Sequence, residues 1–169
     1  MTLFYGDDSH VSQEGYVPCG WQFPDEDVFV PTQKGSRLNC WGLFSRDNQC
    51  YWATTRYNIT AAFVIEKADA LSLQITGSTV IVLDNVRIHA AYLFRQRRGI
   101  WAQRDLHFFF LPPYSPHLNI TETVWWHLKG GWFQPQGYAQ ADDLAYATNR
   151  CLANFGTQLT ITFSPFNAN

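Results

Sequence analysis

Three acidic residues are the first candidates for chemistry. Asp7 follows a strand-like run from Thr2 to Gly6, Asp84 closes the β-branched run Thr79 to Leu83, and Glu122 falls in the first turn of a helix whose expected N-cap is Asn119. In parallel or mixed sheets the ends of neighbouring strands share one edge, and ligand sites gather at such carboxyl ends. Carboxylate oxygens are hard ligands suited to Mg²⁺ or Mn²⁺. Two such ions held about 4 Å apart activate an attacking oxygen and stabilise the leaving oxygen of a phosphodiester. Each acid also has a structural reading. Asp7-Asp8 fits a strand-ending turn in which only one side chain points to a given face. Asp84-Asn85 fits an Asx turn, and Asn119-Ile120-Thr121-Glu122 has the spacing of a capping box. For each acid taken singly, residue type and spacing favour the structural reading. Other chemistries have less support. The five histidines include no H-x-x-x-H pair for zinc, and no nucleophile elbow is visible.

The elements that must position these acids follow from pattern. After the opening strand, Trp21 to Lys34, with Pro24, Pro31 and the run Asp25-Glu26-Asp27, reads as an irregular hairpin. Strands near Leu38 to Ser45 and Gln49 to Thr55 are joined by the turn residues Arg46-Asp47-Asn48. Apolar residues at 61, 64, 65, 68 and 71 predict a helix over Thr60 to Leu73. Thr79 to Leu83 is a strand, a helix runs through the arginine stretch, and Leu106 to Leu111 is a strand closed by Pro112-Pro113. The loop to His117 delivers the Asn119 helix, whose Trp125 and Trp126 read as core residues. A last helix spans about Ala139 to Ala153, with Asp142 and Asp143 in its first turn and Arg150 near its end, in keeping with the macrodipole. This order predicts an α/β domain with a mixed five-stranded sheet and helices on both faces, the ribonuclease-H-like arrangement.

Composition sets the limits. A chain of 169 residues with 46% hydrophobic and 15% charged residues fits one domain and excludes disorder. Its longest apolar runs are strand-sized, so no membrane span is expected, and no export leader is visible, which predicts a cytoplasmic protein. Cys19, Cys40, Cys50 and Cys151 have no C-x-x-C spacing and read as small core hydrophobes. The net charge of −2 gives no global footprint of a nucleic-acid binder. Five of the twelve cations nevertheless fall in one acid-free stretch, at Arg87, Arg95, Arg97, Arg98 and Arg104. Alone, such a cluster reads as a solvated helix face; beside an active site it reads as a phosphate-facing surface.

Two segments change the weighting of the acids. Val80-Ile-Val-Leu-Asp-Asn-Val-Arg-Ile-His89 and Phe110-Leu-Pro-Pro-Tyr-Ser-Pro-His-Leu-Asn-Ile-Thr-Glu-Thr-Val-Trp125, followed by Leu128-Lys129, closely resemble the catalytic domain of bacterial insertion-sequence transposases related to mariner elements. Asp7-Asp8-Ser9 resembles the family's opening Asp-Glu-Ser motif, and the likeness runs from Leu3 to about Phe155. By position it implies Asp7, Asp84 and Glu122 as the DDE ligands of Mg²⁺ (Mn²⁺ as substitute), with two ions. The 37 residues between Asp84 and Glu122 are similar to the mid-thirties spacing of mariner relatives. It also implies the ribonuclease-H-like fold and the activity, in which DNA is cut at transposon ends and the 3′ hydroxyl is joined to target DNA.

Asn85 and His89 then become candidates to orient a ligand or touch a phosphate, with structural capping as the alternative. Arg95, Arg97, Arg98 and Lys129 become candidate phosphate contacts, and Tyr114 either stacks on a base or anchors its loop. The sequence departs from the family pattern at Asp8, where Glu is usual, and at Ile120, where proline is usual. The helix-turn-helix domains that read terminal repeats are expected to be separate or missing, with the active complex a homodimer and the chain a single catalytic domain over 1–169. The alternatives are a general ribonuclease-H-like nuclease or resolvase, and a non-catalytic assembly remnant of a transposase.

Overall fold

The computed structural model describes residues 1–13, 35–84, 92–112, 115, 118–133, 137 and 139–164. The expected hairpin over 21–34 lies outside the described residues, as do Cys19, Asn85, Arg87, His89 and Tyr114. The strands are β1 (Thr2–Ser12), β2 (Arg37–Phe44), β3 (Cys50–Thr55), β4 (Thr79–Leu83) and β5 (Leu106–Phe110), in the sheet order β3-β2-β1-β4-β5. The helices are α1 (Ala61–Ser72), α2 (Tyr92–Ala102), α3 (Thr121–His127) and α4 (Ala141–Asn154), and α3 runs into a π-helical turn over Leu128–Trp132. β1 pairs antiparallel with β2 and parallel with β4, and β5 joins β4 in parallel. The short link between β2 and β3 makes an antiparallel pair, and the link through α2 between β4 and β5 makes a parallel one, as chain length requires. The mixed α/β sheet is the one the pattern predicts.

The opening strand is longer than its local sequence indicates. It does not end at Asp7-Asp8 but continues to Ser12, because β2 goes on pairing with it from Asp7↔Gly42 to Ser12↔Arg37. Its parallel partner stops earlier, at Gly6↔Leu83. The sheet therefore has a step on one side of β1, and Asp7 is the first residue past it.

Alternation along the strands divides the core between two faces. Phe4, Trp41, Leu43, Ile81 and Leu83 pack with Val64, Ala68 and Leu71 of α1 and Phe94 and Trp101 of α2. On the other face Val11, Leu38, Cys40 and Phe44 pack with Val124, Trp125 and Leu128 and with Leu144, Cys151 and Leu152 of α4. Tyr5 and Val82 meet Leu111 and Ile120 on that second face. β2 is buried along both faces after its first residue.

Helix boundaries have local causes. Thr60 caps α1 by accepting the Phe63 N–H, and Val64, Ala68 and Leu71 form its buried stripe. In α2 only Phe94 and Trp101 are buried, seven residues apart on one face, and the Trp101 indole donates to Asp69 of α1 at 2.8 Å. α3 starts at Thr121, one residue later than an Asn119 cap would set. Ile120 stands at the cap position with φ −70°, the value a proline would impose, and buries its side chain instead. Trp126 is a correction. It is 58% exposed whereas Trp125 is 4% exposed, since successive helical residues point about 100° apart and only one can face the sheet. Among the described residues, no helix is long and apolar enough to cross a membrane.

Candidate active site

Extending the parallel register of β1 and β4 by one residue sets Asp7 beside Asp84, immediately past Gly6↔Leu83. Asp7 shares the face of Tyr5 and Val11, on which α3 packs. Its carboxylate oxygen Oδ2 accepts the Trp125 indole N–H at 3.2 Å and lies 3.5 Å from the Thr121 hydroxyl. Burial pushes the Asp7 carboxyl up to about 7, with the negative charges of Asp84 and then Asp8 adding to the shift. The Asp84 carboxyl is raised as well, by burial first and then by Asp8. Asp8 points to the other face. Desolvation raises its carboxyl, while backbone hydrogen bonding and His10 oppose the rise.

Asn119 fastens the entry of α3 to this corner. Its amide donates to the Gly6 carbonyl at 3.3 Å and its Oδ1 accepts the Thr121 N–H at 3.2 Å. Glu122, next to Thr121, is exposed on the first turn of α3, and among the described residues its carboxylate makes no capping-box bond back to Asn119. The structure thus brings Asp7 and Asp84 together with Asp8 close by, and carries Glu122 on the helix tied to Asp7. Among the described residues, no group of three His, Cys, Asp or Glu side chains is gathered closely enough to hold a metal ion.

The candidate DNA contacts separate into distinct settings. Lys129 sits half-buried in the π-helical turn. Burial pulls its ammonium below the usual lysine range, and the nearby Cys40 and Asp7 oppose that. Arg97 lies 3.6 Å from Asp69, while Arg98 donates to the Phe108 carbonyl at 3.3 Å and stands over the Phe110 ring. Arg95 is exposed on α2.

Sequence reasoning missed Trp125 and Gly42 as members of this corner. Gly42 pairs with Asp7 across β1 and β2, and a Cβ there would lie 2.5 Å from the Phe44 ring and 3.1 Å from the Trp125 indole. The signal was the spacing Thr121, Trp125, Leu128, which phases α3 against the sheet.

The donor set fits a hard divalent cation. Two acidic oxygen ligands, crowded and desolvated, raise one another's affinity for protons, and a cation would offset the same repulsion. The family model described as DDE superfamily endonuclease matches residues 2–145, most of the chain. The chain belongs to the DDE superfamily endonucleases. Solved structures agree on the fold of this DDE domain. A simian T-cell lymphotropic virus intasome in complex with PP2A regulatory subunit B56 gamma matches with a TM-score of 0.61 and 12% identity, over 90% of this chain and 47% of that one. The catalytic core domain of BIV integrase gives 0.57 and 14%, over 90% and 82%. The Mos1 mariner paired-end complex with Mn gives 0.51 and 13%, over 94% and 57%. The chain spans about half the length of the intasome and Mos1 chains it matches. A search of curated protein sequences found no match.

Proposed function

We propose that this DDE domain is the metal-dependent catalytic domain of a DNA transposase, cutting phosphodiesters at transposon ends and joining the freed 3′ hydroxyl to target DNA. The observation that carries the reading is the Asp7 and Asp84 pair at the register step between β1 and β4, in a chain of DDE family membership. Asp7, Asp84 and Glu122 are the proposed ligands of Mg²⁺, with Mn²⁺ as substitute and two ions in the working state. Bound there, the ions would activate the attacking oxygen and stabilise the leaving one. The protein's own part is to hold two carboxylates ionised and aligned beside the DNA backbone, and to carry the third on α3.

The whole chain acts as one catalytic domain in this reading. Its proposed partners are a separate or missing helix-turn-helix segment that reads the terminal repeats, and a second copy in a homodimeric active complex. Asn85, His89, Arg95, Arg97, Arg98, Tyr114 and Lys129 are its proposed DNA contacts, with Arg95, Arg97 and Arg98 exposed on α2. A second reading, a non-catalytic assembly module, draws on the exposed Glu122 and on the lack of a gathered three-ligand group among the described residues.

A Mn²⁺ titration by thermal shift, at fixed salt, compares wild type with Asp84→Asn in the presence and absence of a transposon-end duplex. A ligand that binds only the folded state adds roughly 2.7 kcal/mol at 100 times its dissociation constant. Stabilisation of the wild type that Asp84→Asn abolishes supports the catalytic reading, and joining of a pre-cut end to target DNA then separates a transposase from a nuclease. No response with or without DNA supports the assembly module.

A further inference from the structure

The groove of about 330 Å³ between the π-helical turn and α4, lined by Trp132, Tyr146 and Arg150, has no buried unpartnered polar group aimed into it among the described residues. The arginines at the α4 N-terminus, Arg37 and Arg56, are engaged by Asn58 and Asp142. The exposed sheet face at Leu3 and Phe109 gives no indication of what would cover it. The Trp125 corner goes further.

We infer that Trp125 is a positioning residue for the metal ligand Asp7, acting through its indole N–H, an inference that rests on the catalytic reading above. The indole lies 4% exposed, so its N–H has little access to water and needs a partner in the protein. It finds the Asp7 Oδ2 at 3.2 Å. The ring cannot turn away freely. Phe44 packs edge-on against it at 5.2 Å, and Gly42 presents bare backbone where a Cβ would approach the indole to 3.1 Å. Thr121, fully buried one helical turn earlier, adds a long hydroxyl contact of 3.5 Å to the same oxygen.

Both side-chain donors address Oδ2, and the Asp8 backbone also hydrogen-bonds the carboxylate. The carboxylate is therefore restrained in rotation, with Oδ2 committed to α3. The same two residues flank Glu122 in sequence, so the bonds that orient the first acid also fasten the helix turn that carries the third. A partner outside the ligand sphere that orients a ligating carboxylate typically governs metal affinity by 10–100-fold.

The test replaces the donor and keeps the shape. Trp125→Phe removes the N–H and part of the ring. Benzothienylalanine at the same position keeps the bicycle and swaps N–H for sulfur, which covers the case in which the Phe variant packs poorly. Mn²⁺ affinity is read from the free-ion EPR signal in the presence of an end duplex, alongside the thermal midpoint without metal. The indole ¹⁵N–¹H resonance absent from Trp125→Phe is followed in the wild type. Expected are a tenfold or greater loss of Mn²⁺ affinity in both variants, a metal-free midpoint little changed for benzothienylalanine, and a Trp125 resonance that moves in Asp7→Asn. Unchanged Mn²⁺ affinity with benzothienylalanine overturns the inference and leaves Trp125 a packing residue, with the catalytic reading intact. A wild type that binds no Mn²⁺, matched by Asp84→Asn, removes the catalytic reading and this inference with it.

Discussion

Asp7 and Asp84 occupy the first positions beyond the last paired residues, Gly6 and Leu83, of two parallel strands. Strand spacing of about 4.8 Å then sets their backbones side by side without any loop having to position them. Two carboxylates on adjacent, hydrogen-bonded strands form a stiffer pair than two on loops, and they repel at short range unless a proton or a cation intervenes.

Burial of Asp7, with that repulsion added, predicts an unusual pH dependence. The Asp7 carboxyl rises in the folded protein from 3.8 to about 7. The folded state therefore holds a proton that the unfolded state has released between those values. The associated stability is complete below the unfolded pKa and is lost as pH rises through about 7. Asp7→Asn, which keeps an acceptor for Trp125, is expected to stabilise the fold by on the order of 2–4 kcal/mol at pH 8 without divalent ions, raising the melting temperature, and to lose that advantage near pH 4. Adding Mn²⁺ should reverse the order at pH 8, because only the wild type gains a ligand. Melting curves at the two pH values, with and without Mn²⁺, check this.

Gly42→Ala acts on the same corner from below. The new methyl would meet the Phe44 ring at 2.5 to 2.6 Å, so Phe44 and Trp125 must shift together. Overpacking of this kind costs about 1–3 kcal/mol. Unlike a surface change of equal cost, it should also weaken Mn²⁺ binding. Chemical denaturation and Mn²⁺ titration on one sample measure both.

Asn119→Ala removes the link between the Gly6 carbonyl and the start of α3. The expected loss is about 1–2 kcal/mol of stability, since a buried carbonyl and an N–H near the start of α3 lose their partners. Asn119→Asp keeps the Thr121 bond but adds a negative charge near Asp7, and should be worse than alanine at pH 8. Urea unfolding of the two variants decides.

DNA affinity should separate the arginines of α2. Arg95→Ala is expected to weaken binding to any duplex and to lower the slope of log K against log salt by about 1. Arg97 and Arg98 touch Asp69, Phe108 and Phe110, so their alanine variants should cost stability as well. Fluorescence anisotropy across a salt series, beside melting curves, distinguishes the two patterns.

What could be read from the sequence depended on how local its causes were. Thr79–Leu83 coincides with its expected bounds because a short β-branched run between a turn and Asp84 has one way to pair. Thr60 and the stripe at 64, 68 and 71 announced α1 within a residue or so. β1 was cut short at Gly6 because its second half owes its existence to β2, a partner some thirty residues on, rather than to its own mixed side chains. Trp125 and Trp126 were given the same role because α3, with 7 residues, is too short for periodicity to settle its phase. The proximity of Asp7 and Asp84 was legible through motifs. The indole that holds Asp7 was not, since its bond joins residues 118 apart in the chain.

The central place of β1 in the sheet has a consequence for biosynthesis. The strand made first acquires its parallel neighbour only when residue 83 has been translated, and the donor to Asp7 comes with residue 125. At 5–20 residues per second the ribosome takes roughly several seconds to deliver them. Through that interval β1 can fold only as part of an antiparallel meander with β2 and β3, leaving one edge and the Asp7 carboxylate in water. A nascent chain stalled before β4 should therefore expose the β1 edge to pairing, which makes β4 a safeguard against aggregation.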